Sequence, residues 1–130
     1  MKIARILGIF VFGLLFCCQK QEPFPIDHIG NQAGDASLRI SVKYLYQISP
    51  EVKDSLLPGT DVRLYLSTRD RDDELNRLAE RSSDSLGMVH FESLNPGLFY
   101  IRLRHPRFGV LDDSVKLISG SLSQVEELYY

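Results

Sequence analysis

Tryptophan is absent from this chain of 130 residues, and histidine (three), methionine (two) and cysteine (two) are scarce. Cys17 and Cys18 are adjacent and lie near the start, so the chain from residue 19 onward has no thiol. That excludes a disulfide, a thiolate metal site and a cysteine nucleophile from its main body. His28, His90 and His105 have no metal-ligand spacing, so zinc is not indicated. Basic charge is not in excess either. Fifteen Lys and Arg stand against 17 Asp and Glu, and without Lys2 and Arg5 the balance is 13 against 17. With no basic stripe to release counterions, nucleic acid is not an expected partner. There is no Gly-x-Ser-x-Gly elbow, no Gly-rich phosphate loop and no His-Glu-x-x-His, so no enzyme is expected and no cofactor.

Long apolar runs are also lacking. The longest, Ile6 to Phe16, follows Lys2 and Arg5. At 1.5 Å per residue it reaches only about 16 Å, short of a hydrocarbon core of about 30 Å. A positive start, a short apolar centre and an abrupt polar continuation predict an export signal. Its end, Leu14-Leu15-Phe16-Cys17-Cys18-Gln19, resembles a bacterial lipoprotein box. Such a box needs a small residue before the lipidated cysteine, which favours Cys18, preceded by Cys17, over Cys17, preceded by Phe16. The resemblance implies residues 1–17 as a lipoprotein signal peptide, a lipid (palmitate) on Cys18, and attachment to a membrane. No Asp follows Cys18, so the outer membrane is expected rather than the inner. Residues 18–36, with Pro23, Pro25, Gly30 and Gly34, are expected to be a flexible tether.

From residue 37 the pattern becomes period two. Leu38, Ile40, Val42, Tyr44 and Tyr46 alternate with Arg39, Ser41, Lys43 and Gln47, which predicts a long first strand ending at Ser49-Pro50. Residues 51–57 predict a helical turn or a loop that packs Val52, Leu56 and Leu57 on the sandwich edge. After Pro58-Gly59, Val62, Leu64 and Leu66 predict a second strand. Asp84-Ser85-Leu86-Gly87 has turn chemistry, and Val89 and Phe91 alternate with His90 and Glu92. Asn95-Pro96-Gly97 is a second turn, followed by Phe99, Ile101 and Leu103 alternating with Tyr100, Arg102 and Arg104. Pro106 should end that strand. Two further strands are expected, over 108–118 and 122–130.

The segment at 82–103, Ser-x-Asp-Ser-x-Gly-x-Val-x-Phe-x-x-Leu-x-Pro-Gly-x-Phe-Tyr-Ile-Arg-Leu, resembles the central motif of prealbumin-like sandwich domains. These include carboxypeptidase regulatory-like and Cna-B-like modules. Gly59-Thr60-Asp61-Val62-Arg63-Leu64-Tyr65 resembles their upstream strand. The resemblance implies an all-β, seven-stranded Greek-key sandwich over residues 37–130. Cna-B-like domains often link a first-strand Lys to a last-strand Asn beside a buried acid. Lys43 matches in position, but Arg104 stands where the acid belongs and residues 124–130 contain no Asn, so Lys43 is expected to be a solvent-facing strand lysine.

Residues 68–81 differ in kind. Leu75, Leu78 and Ala79 have helical spacing, and Asp73 and Arg77 stand four apart. The pattern predicts a short helical excursion resting on the sandwich. Asp70, Arg71, Asp73, Glu74 and Arg77 are then expected to turn outward as a partner surface. The carboxylates at 70–74 are interleaved with Arg71 and followed by no Gly, unlike a calcium loop, so no metal is expected. Tyr65, Tyr100, Tyr129 and Tyr130 either line a binding patch or make cross-strand pairs. The functional expectation is a non-catalytic, lipid-anchored module of the cell envelope that binds a protein or a glycan or serves a structural role. The alternative is an accessory subunit of an envelope enzyme or transport system.

Overall fold

The computed structural model describes residues 34–130, which form two packed four-stranded sheets and one short helix. Cys18, the signal segment and most of the expected tether lie outside the described residues. The first sheet is built on β1 (Ala36–Ile48), which begins one residue ahead of the expected boundary. Along one edge it pairs antiparallel with β5 (Met88–Leu94) through residues 36–41, then with β2 (Glu51–Leu56) through residues 43–48. Along the other edge it pairs parallel with β8 (Leu122–Tyr129). The second sheet has the order β4 (Ala79–Ser82), β3 (Asp61–Tyr65), β6 (Gly97–His105), β7 (Gly109–Leu117), all antiparallel.

The change of partner along β1 takes place at Val42. Its N–H donates to the Gly87 carbonyl at 2.7 Å, and its carbonyl accepts from the Leu57 N–H at 2.9 Å. Gly87 is at φ 69°, and a Cβ there would lie 2.5 Å from the Val42 carbonyl oxygen. The turn before β5 therefore needs glycine both for its backbone and for the space it leaves. Asp84 supports the same turn, its Oδ1 accepting from the N–H groups of Leu86 and Met88, both at 2.9 Å.

Period-two alternation places the core between the sheets. Leu38, Ile40, Val42, Val89 and Phe91 enter from the first sheet, and Val62, Leu64, Phe99, Ile101 and Leu103 from the second. A register shift between Ala36 and Leu38, opposite Ser93 at φ 57°, turns Leu94 back onto the core face. Beside the core, Ser83 Oγ accepts from the Thr60 N–H (2.9 Å) and donates to the Leu57 carbonyl (2.8 Å). This satisfies buried backbone groups where the chain crosses between the sheets.

Eight strands are present, against the seven that the resemblance implies and the six placed from the sequence; the two not placed, β2 and β4, replace expected helical or loop segments. Residues 51–56 extend as β2 because they pair with the overhanging end of β1, leaving Val52 and Leu56 exposed while Leu57 alone is buried. In the excursion the helix α1 is confined to Thr68–Asp72, N-capped by Ser67 Oγ, which accepts from the Asp70 N–H. Ala79 then belongs to the core as the first residue of β4, and Leu78 packs partly against it, whereas Leu75 is exposed. Leu66 is exposed too, because β3 ends at Tyr65.

Candidate functional site

β1 and β2 run past the sandwich as a hairpin, and the C-terminal end of β8 lies beside them. Leu45, Tyr46, Val52, Lys53, Asp54, Glu126 and Leu128 line a cleft of about 440 Å³ there. A second hollow of about 370 Å³ adjoins it and adds Gln47 and Tyr130. Charged and apolar side chains line the cleft together. Lys43 bridges Asp54 of β2 (2.9 Å) and Glu126 of β8 (3.0 Å), so one ammonium ties three strands together. Its hydrogen bonds to Asp54 and Glu126 raise the Lys43 pKa, and the same contact lowers that of Asp54. Lys43 does lie on the outer face, as expected, but it is paired rather than free.

Tyr46 lines both hollows and is backed by other aromatic side chains. Its ring lies 5.6 Å from Tyr44, which stacks on Phe108 at 5.0 Å. Phe108 meets Tyr129 at 5.8 Å and His105 at 5.2 Å, with the Arg107 guanidinium 5.4 Å above its ring. Tyr46 is 37% exposed and Tyr130 is 92% exposed. Of the four tyrosines singled out in the sequence, only Tyr130 belongs to the cleft. Tyr65 is buried under the excursion, Tyr129 is buried at the end of β8, and Tyr100 lies beneath the Arg71 guanidinium at 5.9 Å. Tyr46 was missed as a site residue because alternation assigns it to the core face. Only the length of β1 relative to its neighbours carries it beyond the core.

The five charged residues of the excursion are not a free outward face. Asp70 Oδ2 accepts from Ser67 Oγ at 2.8 Å, and its Oδ1 accepts from Asn76 Nδ2 at 2.9 Å. Asp73 pairs with Arg69 at 3.7 Å rather than with Arg77, which bonds Glu80. Arg71 and Arg77 are largely covered, at 17% and 25% side-chain exposure. Arg71 lies 3.6 Å from Asp112, and Glu74 reaches Arg63, Arg102 and Arg104. The excursion is thus tied by ion pairs to the outer face of the second sheet. There Arg102 also makes a two-pronged bond to Asp112, both contacts at 2.8 Å, which holds the Asp112 carboxyl below its usual range.

A different pair of acids lies where the edge strands β7 and β8 meet. Glu127 is on the inner face of β8, opposite Val42, and is buried; Asp113 is on the inner face of β7, opposite Ile101. Burial and the hydrogen bond and charge of Asp113 push the Glu127 carboxyl up to about 8, so at neutral pH it is protonated. One Glu127 oxygen is buried without a hydrogen-bond partner. Neither acid lines the cleft. Among the described residues, no three His, Cys, Asp or Glu side chains are grouped to hold a metal ion.

No family model and no curated protein sequence matches this chain. Among solved structures it is similar to a "putative carbohydrate binding protein" from Pseudomonas aeruginosa, with a TM-score of 0.51 and 15% identity. The match covers 82% of this chain and 98% of that one. At that identity the likeness shows a shared all-β fold.

Proposed function

We propose that this protein is a non-catalytic glycan-binding module, displayed in the bacterial cell envelope through a lipid on Cys18. The observation that carries the reading is Tyr46, an exposed ring packed against Tyr44, which in turn stacks on Phe108, beside a cleft lined by both apolar and charged side chains. A sugar ring has apolar C–H faces and a rim of hydroxyls. A rigid aromatic face covers the former at little entropic cost, and carboxylate, amide and ammonium groups hydrogen-bond the latter. Asp54, Glu126, Gln47 and Lys53 supply those groups around the two adjoining hollows that Tyr46 and Tyr130 help line. The fold shared with the Pseudomonas protein supports the same reading. The leader, with its short apolar run and Cys17-Cys18, supports the anchor, and the absence of Asp after Cys18 supports an outer-membrane address.

The test is titration of neutral oligosaccharides from an envelope glycan panel into the protein and into Tyr46→Ala and Tyr130→Ala variants. Loss of a stacking aromatic should weaken binding about tenfold or more, with little change in melting temperature. If no glycan binds, or if both variants bind as well as the parent, the cleft is not a sugar site.

A further inference from the structure

We propose that the outer face of the second sheet carries a binding site for a carboxylate ligand, and that Glu74 of the chain's own excursion occupies it in this structure. The proposal goes beyond the sugar cleft and does not depend on it. Arg63 of β3 and Arg102 of β6 are direct cross-strand partners, and Arg104 lies two residues along on the same face. The Glu74 carboxylate lies among all three. Its Oε2 is 3.5 Å from Arg63 Nη1, and its Oε1 accepts from Arg102 Nη1 at 3.5 Å and from Arg104 Nη2. Guanidinium groups in a row suit a planar, two-oxygen acceptor.

The arginines are positioned without help from Glu74. Asp112 grips Arg102 with two bonds, and Glu80 accepts from Arg63 Nε at 3.1 Å. Both arginine side chains are about 15% exposed, so their forks are held in a partly dry layer. Glu74, in contrast, arrives on a turn in which it and Asn76 both have left-handed backbone, φ 53° and 47°, which asparagine tolerates but which is unfavourable for glutamate. Removing its carboxylate would leave Arg63, Arg71, Arg77, Arg102 and Arg104 against Asp61, Asp72, Glu80 and Asp112, an excess of one positive charge. The same layer also contains donors with no partner. The Tyr65 hydroxyl, on a fully buried residue of the same sheet face, and Arg77 Nε are both buried without hydrogen bonds. Unpartnered buried donors beside an arginine row suit an anion larger than the Glu74 carboxylate alone. Glu74 then acts as an internal competitor: an incoming ligand binds only in the fraction of molecules whose turn has swung away.

The experiment uses the whole protein and a Glu74→Gly variant, because glycine adopts φ 53° freely and lets the turn keep its path. Citrate and trigalacturonate are titrated calorimetrically at low salt into both proteins. Glu74→Gly should bind at least one of them about tenfold more tightly than the parent, and the further change Arg104→Ala should abolish the gain. A gain for citrate alone identifies a free acid as the ligand class, and a gain for trigalacturonate alone a carboxylated glycan. Tyr46→Ala should leave the gain untouched, which separates this site from the sugar cleft. The proposal is overturned if Glu74→Gly melts like the parent yet gains no affinity, or if the gain survives Arg104→Ala. Should Glu74→Gly fail to fold, Glu74→Gln keeps the length of the side chain without its charge and must show a gain in the same direction.

Discussion

Glu127→Gln should make the protein more stable in alkaline solution and leave it nearly unchanged in acid. The carboxyl titrates at about 8 in the folded protein, against an ordinary value of 4.5. Between those values the folded chain keeps a proton that the unfolded chain has released. Stability must therefore fall as pH rises through that window and level off above about 8. At about 1.36 kcal/mol per pH unit, the full interval gives an upper bound of about 5 kcal/mol. Glu127 is only 5% exposed, but it lies at the seam of two edge strands, and Asp113 across that seam is open to water. Screening there leaves about 2–3 kcal/mol as the expected loss. Glutamine has the same shape, never ionises and can still donate to Asp113. Urea unfolding of parent and variant from pH 5 to pH 9 reads the effect as the difference between the two curves, in which every other titrating group cancels. That difference should be near zero at pH 5 and reach about 2–3 kcal/mol in favour of Glu127→Gln at pH 9. Asp113→Asn, which removes the like charge but not the burial, should remove only part of the slope. A difference that stays flat across the range would refute the assignment of a protonated Glu127.

Phe91→Ala empties the centre of the first sheet's inner face and should cost about 3–5 kcal/mol in denaturant unfolding; a loss below about 1 kcal/mol would contradict its burial. Gly87→Ala must place a Cβ 2.5 Å from the Val42 carbonyl on a backbone at φ 69°, so it should cost more than about 1 kcal/mol and loosen amide protection at Val42 and Leu57. Cys18→Ser should abolish palmitate labelling and release the protein from membranes, whereas Cys17→Ser should keep its anchor; labelling that survives Cys18→Ser would show the lipid elsewhere.

The sandwich was legible where local chemistry and alternation agree. The strands around Phe91 and Ile101, the Asp84 to Gly87 turn and the stop at Pro106 all follow from residue types whose preferences are satisfied within a few positions. The two missed strands depend on distant partners instead. Residues 51–56 carry no apolar alternation, since β2 pairs with an overhang and buries little. Ala79 looked helical because its spacing from Leu75 and Leu78 is helical, but its environment is set by β3 alongside it. The cleft was illegible for the same reason: Tyr46 has the sequence signature of a core residue, and only the lengths of neighbouring strands expose it. The charges of the excursion were visible, but not their direction, because nothing local indicates that Glu74 will find Arg102 and Arg104 about 30 residues away.

The length of β1 has a mechanical consequence. β1 enters the fold at Ala36 and ends in the hairpin that bears Tyr46, ten residues further on, about 33 Å at strand spacing. A tension applied between the chain before residue 36 and a ligand held at the hairpin would run along β1 itself. The covalent backbone of β1 carries that tension, and the hydrogen bonds to β8, β5 and β2 lie across the line and hold the strand extended without transmitting the load. A tethered molecule built this way would hold a load through its longest strand while the second sheet, with its charged excursion, stayed slack.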